Sequence, residues 1–471
     1  MADLGADPRN RIGNPQPSVW QPDFGSARRA DSEQQSLATI LNLIRTEEAN
    51  TRLEIERVSG LGRAIVADRL ATLIDLGMVD EGELGLASGG RAPRNARFRG
   101  EAGLFLVAVL GQSSIGVALS NLSGKLLVEH YEAADPNAGA APVMKRLATL
   151  FDWALEQHRK DRDIWGIGIA VSGPVKPAEG EPFASPGLPF IPGWDGVPFV
   201  EQLVAYYRAP VWVRSNTQMM TLGELRAGSG HEALDMLFVD LGREIGAGIV
   251  FDGRLYRGAQ GGAGLIGHIA TGEDTTTVCK CGNTGCLEAT AGSDAITRAA
   301  LQAAQTGQSP QLAEILAANG EITVVDVGTA AVVGDAFSAE LLARCGRLIG
   351  ATLAALTNSF NPSLIVLGGA LVHSSDLLLA AIREAVYRRS HPAVSRDLRI
   401  VRSRMGSSAA MSGAAFSLVD EIFAPGLLAG WISHGSPVRN SGIEECVERA
   451  RQTLTRSNGR PPPPAGKPGG A

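Results

Sequence analysis

Residues 267–288 read GHIATGEDTTTVCKCGNTGCLE and hold His268, Cys279, Cys281 and Cys286. Three of the chain's five cysteines fall within eight residues. One imidazole and three thiolates complete a tetrahedral set for structural zinc and leave no open position for a substrate. Such an ion acts as a staple, because with no bound water there is nothing for it to activate. Gly282 and Gly285 let the backbone turn tightly enough for the thiolates to converge.

At 471 residues the chain is long enough for two or three domains with sizeable cores. A net charge of −6 excludes a general polyanion binder, yet residues 86–100 (LASGGRAPRNARFRG) carry four arginines and no acid. No secretory signal is visible and no apolar run reaches membrane-spanning length. Five cysteines, three of them committed to a metal, do not make a disulfide framework, which points to a reducing cytoplasm.

Residues 1–31 are polar, carry scattered Pro, Gly and Arg, and read as a flexible tail. After Ser32, Leu37, Ile40, Leu41 and Ile44 recur at helical spacing. Thr51 and Glu54 form a capping box for a short second helix ending near Gly60. A third helix follows Gly62 and ends at Gly77, with Val66, Leu70, Leu73 and Ile74 inward. Two short helices about a tight glycine turn make a helix-turn-helix over 32–85, with a β-wing entered at Met78 and Val79 and turning near 81–85. The third helix is the candidate reader of a DNA major groove through Arg63, Ala64, Ala67, Asp68 and Arg69, since arginine takes guanine O6 and N7 as a bidentate pair. Residues 86–102 read as an arginine-rich linker whose Arg91 and Arg94 are suited to a narrow minor groove. Solvated charges on a packing module and a linker are the alternative.

From Leu104 the pattern changes to strands: FLVAVLG, SIGVALS and KLLVEHY as a meander, then IWGIGIAV, PVWVRSN, MLFVDLG and GAGIVFDG. The last ends at Asp252-Gly253, a hairpin turn. A strand–loop–strand unit thus occurs twice, near 104–120 and near 236–251. Long helical stretches follow at 335–360, 374–389 and 410–423, then a charged segment beyond Pro437 and a Pro/Gly-rich tail.

GH followed by CxCGxxGCxE resembles the ROK family (repressor, open reading frame, kinase), and the likeness covers roughly residues 33–433. It implies an N-terminal winged helix-turn-helix followed by a two-lobed α/β actin/hexokinase-like body, with lobes at 103–218 and 219–433 and a further segment at 434–471. Residues 88–93 (SGGRAP) resemble the element that follows the wing in ROK repressors. The resemblance also implies a cleft that binds a sugar, with Asn216, His268 and Glu288 as ligand contacts, and a homodimer on inverted-repeat double-stranded DNA. A sugar-derived effector or a sugar-transport protein is the implied partner. Glu288 is equally placed to support the zinc loop.

A sugar kinase of this kind needs a carboxylate base, polar groups on the sugar, and loops for ATP and metal. Where the family carries Asn-Asp, this chain has Asn216-Thr217, and a hydroxyl is no base at neutral pH. Leu265 stands where the family's sugar-binding Glu lies, and Val109 replaces the acid of the first phosphate loop. In the second loop, Glu244 puts a negative charge where triphosphate would sit. The expectation is a transcriptional regulator, most simply a repressor, with no catalytic residues. The alternative is an active hexose or N-acetyl amino sugar kinase with an accessory DNA-binding head, its base supplied by Glu288 or Glu224.

Overall fold

The computed structural model describes residues 29–84, 94–111, 114–134, 139–158, 162–175, 197–273 and 276–458. The head begins with α1 (Arg29–Arg45), α2 (Arg52–Ser59) and α3 (Arg63–Asp75). Helix α1 starts ahead of the boundary expected at Ser32, because a helix's first turn needs no apolar residue to form. The capping box is present: Glu54 N donates to Thr51 Oγ1 at 3.3 Å, and Thr51 N donates to Glu54 Oε2 at 3.0 Å. Gly60 closes α2 in the left-handed region at φ 70°. Leu37, Ile40, Leu41, Val66, Leu70 and Leu73 meet in the head's core.

The wing departs from expectation. Strand β1 (Val79–Leu84) runs through the residues assigned to the turn. Its antiparallel partner is β2 (Arg94–Phe98), drawn from the segment read as a linker, with Val79 opposite Phe98 and Leu84 opposite Arg94. Residues 94–98 of the arginine-rich stretch are therefore wing and not tether. Its composition masked an alternation in which Ala96 and Phe98 pack on the core while Arg97 stands opposite Asp80 in register. The turn, with Arg91, lies outside the described residues.

The body is a duplication visible in strand order. Strands β3 (Leu104–Leu110), β4 (Ser114–Asn121) and β5 (Leu126–Ala133) form the expected meander. Helix α4 (Ala140–Gln157), β6 (Ile164–Val171), α5 (Phe199–Tyr207) and β7 (Val211–Ser215) follow, giving the order β5-β4-β3-β6-β7. Helix α6 (Asn216–Ala227) leads to β8 (Met236–Leu241), β9 (Ile245–Phe251) and β10 (Arg254–Tyr256). Asp252 and Gly253, at φ 49° and 68°, make the hairpin turn that their identities require. Next come α7 (Leu287–Ala291), α8 (Ser293–Gln305), α9 (Pro310–Asn319), α10 (Val324–Val332) and α11 (Ala336–Phe360). Strand β11 (Leu364–Gly368), α12 (Ala370–Ser374), α13 (Asp376–Arg389), α14 (Pro392–Ser395) and β12 (Arg399–Arg402) complete the second sheet, β10-β9-β8-β11-β12. Each sheet joins two antiparallel pairings to two parallel ones in the same order.

Helix α15 (Ser408–Ile422) crosses back and packs on α6 and on the first sheet. Phe105, Val107 and Val109 of β3 join the same core as Met236 and Phe238 of β8, with α6 and α15 between. Helix α16 (Pro425–Trp431) meets α1, and α17 (Ser441–Asn458) lies on the first lobe. The charged C-terminal segment is thus part of that lobe: Ile443, Val447 and Ala450 are buried in its core. No single helix among the described residues is long and apolar enough to cross a membrane.

Head and body share one core. Phe423 sits between Phe98 of the wing (centroids 5.5 Å apart), Trp165 of β6 (6.4 Å) and Trp431 of α16 (5.7 Å). The Arg45 guanidinium lies 5.0 Å above its ring, and Asn42 Nδ2 donates to its carbonyl at 3.2 Å. Phe423→Ala should cost about 3–5 kcal/mol in urea unfolding. Limited proteolysis should then release the head before the body.

Candidate functional site

The metal loop folds as a small hairpin. Cys279 N donates to Asn283 O at 2.7 Å, Thr271 N donates to Gly285 O at 2.9 Å, and Gly282 turns at φ 90°. The candidate ligand atoms of His268, Cys279, Cys281 and Cys286 all lie within 4.8 Å of one another. Cys281 and Cys286 Sγ are 3.7 Å apart, and His268 Nδ1 is 3.4 Å from Cys279 Sγ. Bonds of about 2.3 Å to sulfur and about 2.0 Å to nitrogen require edges of about 3.8 and 3.6 Å in a tetrahedron. The four residues could therefore hold one metal ion with little movement, through Nδ1 of the histidine.

The loop is tied to the turn between β8 and β9 and to α7. Lys280 Nζ lies 3.0 Å from Glu244 Oε1 and 3.1 Å from Glu288 Oε1. Glu288 also accepts from Ile245 N at 2.9 Å. Glu288 therefore ties the metal-candidate loop to the turn between β8 and β9. Glu244 is an acid at the expected place, but Lys280 partly offsets its charge. Glu224 is fully buried, accepts from Ser229 N at 2.8 Å, and is bonded to Ser403 Oγ.

Asn216 and Thr217 open α6. Asn216 Oδ1 is buried without a hydrogen-bond partner among the described residues. A side-chain carbon at Gly246 would lie 3.0 Å from Thr217 Oγ1, so helix and sheet touch there. Leu265 is 46% exposed. Val109 is fully buried in the core, a packing residue with no access to a ligand.

The residue that sequence reasoning missed is Asp240. It is the penultimate residue of β8, opposite Gly246 of β9. Burial, and then the nearby Glu244, push its carboxyl up to about 7. On β5 of the first lobe, the Tyr131 phenol is raised by burial and by the charge of Asp240. The signal was available: in MLFVDLG an acid falls on the same strand face as Met236 and Phe238.

In the head, Arg63, Ala64 and Asp68 are exposed and Ala67 is half-buried. Arg69 is held back, 2.9 Å from Glu33 and 2.5 Å from Asp68, with Nε donating to Ser36 Oγ at 3.0 Å. Arg94 is the first residue of β2, and Arg91 lies outside the described residues.

A helix-turn-helix head with a wing, packed on a duplicated two-lobed body with a His/Cys3 loop in its second lobe, defines the class: a kinase-like fold carrying a DNA-binding type of module. A family model described as the ROK family matches residues 107–421, more than half of the chain. The chain belongs to the ROK family. It is 29% identical to a glucokinase of Halalkalibacterium halodurans over 65% of this chain and 92% of that protein. It is 28% identical to the DNA-binding transcriptional dual regulator NagC of Escherichia coli K12 over 84% of this chain and 95% of that one. Among solved structures, a ROK family transcriptional regulator described as a homologue of the E. coli Mlc protein superposes with a TM-score of 0.68. That match is at 26% identity and covers 86% of this chain and 100% of that one.

In the unfolded chain an aspartate ionises near pH 4. In the fold Asp240 holds its proton up to about 7, so stability falls as pH rises through that window. Asp240→Asn should therefore stabilise the protein by about 1–2 kcal/mol at pH 8, allowing for the carboxyl's remaining contact with water. The gain should shrink toward pH 4, as read by urea unfolding across that range.

Proposed function

We propose that the chain is a DNA-binding transcriptional regulator, most simply a repressor. Its kinase-like body has lost phosphoryl transfer and serves as dimerisation scaffold and ligand sensor. The observation that carries the reading is the winged head with Arg63 exposed at the start of α3, packed on a cleft where Thr217 offers no base. The span of the relatives supports it: the regulator aligns over 84% of the chain and the glucokinase over 65%. Arg63, Ala64, Ala67 and Asp68 would face base edges in the major groove, and Arg91 and Arg94 would serve the minor groove. Arg69 would act from behind, holding α3 against α1 through Glu33 and Ser36. Two heads on a twofold dimer would read an inverted repeat. A sugar-derived effector in the cleft, near Asn216 and His268, would act by favouring one lobe closure over the other.

Structural zinc fits His268, Cys279, Cys281 and Cys286, and would rigidify the loop that presents Lys280 and His268. Metal analysis should find about one zinc per chain. Cys286→Ser should lose it and lower the thermal midpoint by at least a few degrees.

Mobility-shift titration against DNA from upstream of the chain's own gene tests the main reading. Arg63→Ala should weaken specific binding by about 1–3 kcal/mol, with salt held constant across the series. A coupled ATP-consumption assay over hexoses and N-acetyl amino sugars should show no turnover. Sustained turnover would establish the carbohydrate kinase instead.

A further inference from the structure

We propose that Asp240 is the carboxyl that holds the ligand in the interlobe cleft, and that this ligand is an uncharged polyhydroxy compound, a sugar carrying no phosphate. The proposal rests on the cleft being the ligand-sensing site.

Met236, Phe238 and Asp240 occupy alternate positions of β8 and so share one face. The first two are buried in the core with Met219 and Leu222 of α6. Asp240 continues that row where the sheet emerges at the N-terminus of α6. It stands opposite Gly246, and opposed residues on antiparallel strands present their Cβ atoms to the same face about 5 Å apart. Gly246 in turn faces Thr217 Oγ1. The carboxyl of Asp240 therefore reaches the space that residue 217 borders. An acid absent at position 217 is present on the neighbouring strand.

Among the described residues no hydrogen bond or ion pair engages the Asp240 carboxylate; only burial and Glu244 act on it. Asn216 Oδ1 is a second oxygen without a partner at the start of the same helix. The Thr217 hydroxyl borders Gly246, the residue opposite Asp240, and the charge of Asp240 acts on the Tyr131 phenol. Two unmatched acceptors call for a ligand that brings donors, as sugar hydroxyls do. A phosphate is disfavoured, because Asp240 and Glu244 are both acidic and Lys280 is already held between Glu244 and Glu288.

The test is calorimetric titration of the full chain with D-glucose, D-xylose, N-acetyl-D-glucosamine, and the 6-phosphates of glucose and N-acetylglucosamine. At least one neutral sugar should bind, with any 6-phosphate counterpart weaker by about tenfold or more. Asp240→Asn should weaken the neutral sugar by about ten- to a hundredfold. Wild-type affinity should fall roughly tenfold from pH 8 to pH 6 as Asp240 takes up its proton, and Asp240→Asn should abolish that dependence. Glu244 on the adjoining loop and Tyr131 on β5 are the other titratable groups facing it. Both remain in the variant, so a pH dependence that survives would overturn the assignment to Asp240. A preference for a 6-phosphate, a change under twofold in Asp240→Asn, or no binding of any of the five sugars would overturn the proposal. Operator binding measured on the same samples separates the readings: if it persists, the regulator stands and only the cleft ligand is wrong.

Discussion

The structure depends on the direct approach of two helix backbones. Gly223 of α6 faces the carbonyl of Ala409, and Gly413 of α15 faces the carbonyl of Met219; a side-chain carbon at either position would collide with the opposing backbone. The other side of α6 lies as close to β9, where Gly248 leaves room for Thr221 and Gly246 for Thr217. Helix α6 is thus clamped between the second sheet and the crossover helix, and its freedom of movement is that of the lobes themselves. Cores packed this tightly shift between discrete arrangements rather than deforming smoothly.

The clamped helix joins the cleft to the head. Asn216 and Thr217 open it, and at its other end Arg226 lies 3.1 Å from Asp420 of α15. Asp420 acts in turn on Arg45, the last residue of α1, which burial pulls below the usual guanidinium value. One residue further along α15, Glu421 takes Arg214, which precedes the cleft residues by two positions. Polar pairs at partly buried positions need their partners in place. With Phe423 wedged between the wing, α1, β6 and α16, they fix the head to the body as one packed unit.

Cleft chemistry follows from which acids are already engaged. Glu224 is bonded to Ser403 and Ser229, and Glu288 to Lys280 and Ile245 N. Asp240 has no such partner among the described residues, and the fold makes its ionisation costly. A destabilised, unengaged carboxyl at a cleft is how proteins keep a group available for a ligand.

The sequence by itself determined what depends on local rules. The Thr51–Glu54 cap, the Asp252-Gly253 turn, the alternation of the meander and the convergence of His268 with its three cysteines are all written within a few residues of themselves. Only the tertiary structure decided what depends on partners distant along the chain. That residues 94–98 complete the wing follows from β1 lying alongside them, which an arginine-rich composition conceals. That α17 joins the first lobe follows from a stripe of Ile443, Val447 and Ala450 finding a face more than two hundred residues away. Glu224 and Asp240 are both acids in apolar surroundings, and no local rule separates them. Ser403 answers one and no described residue the other, because a carboxyl's chemistry is set by what surrounds it in space.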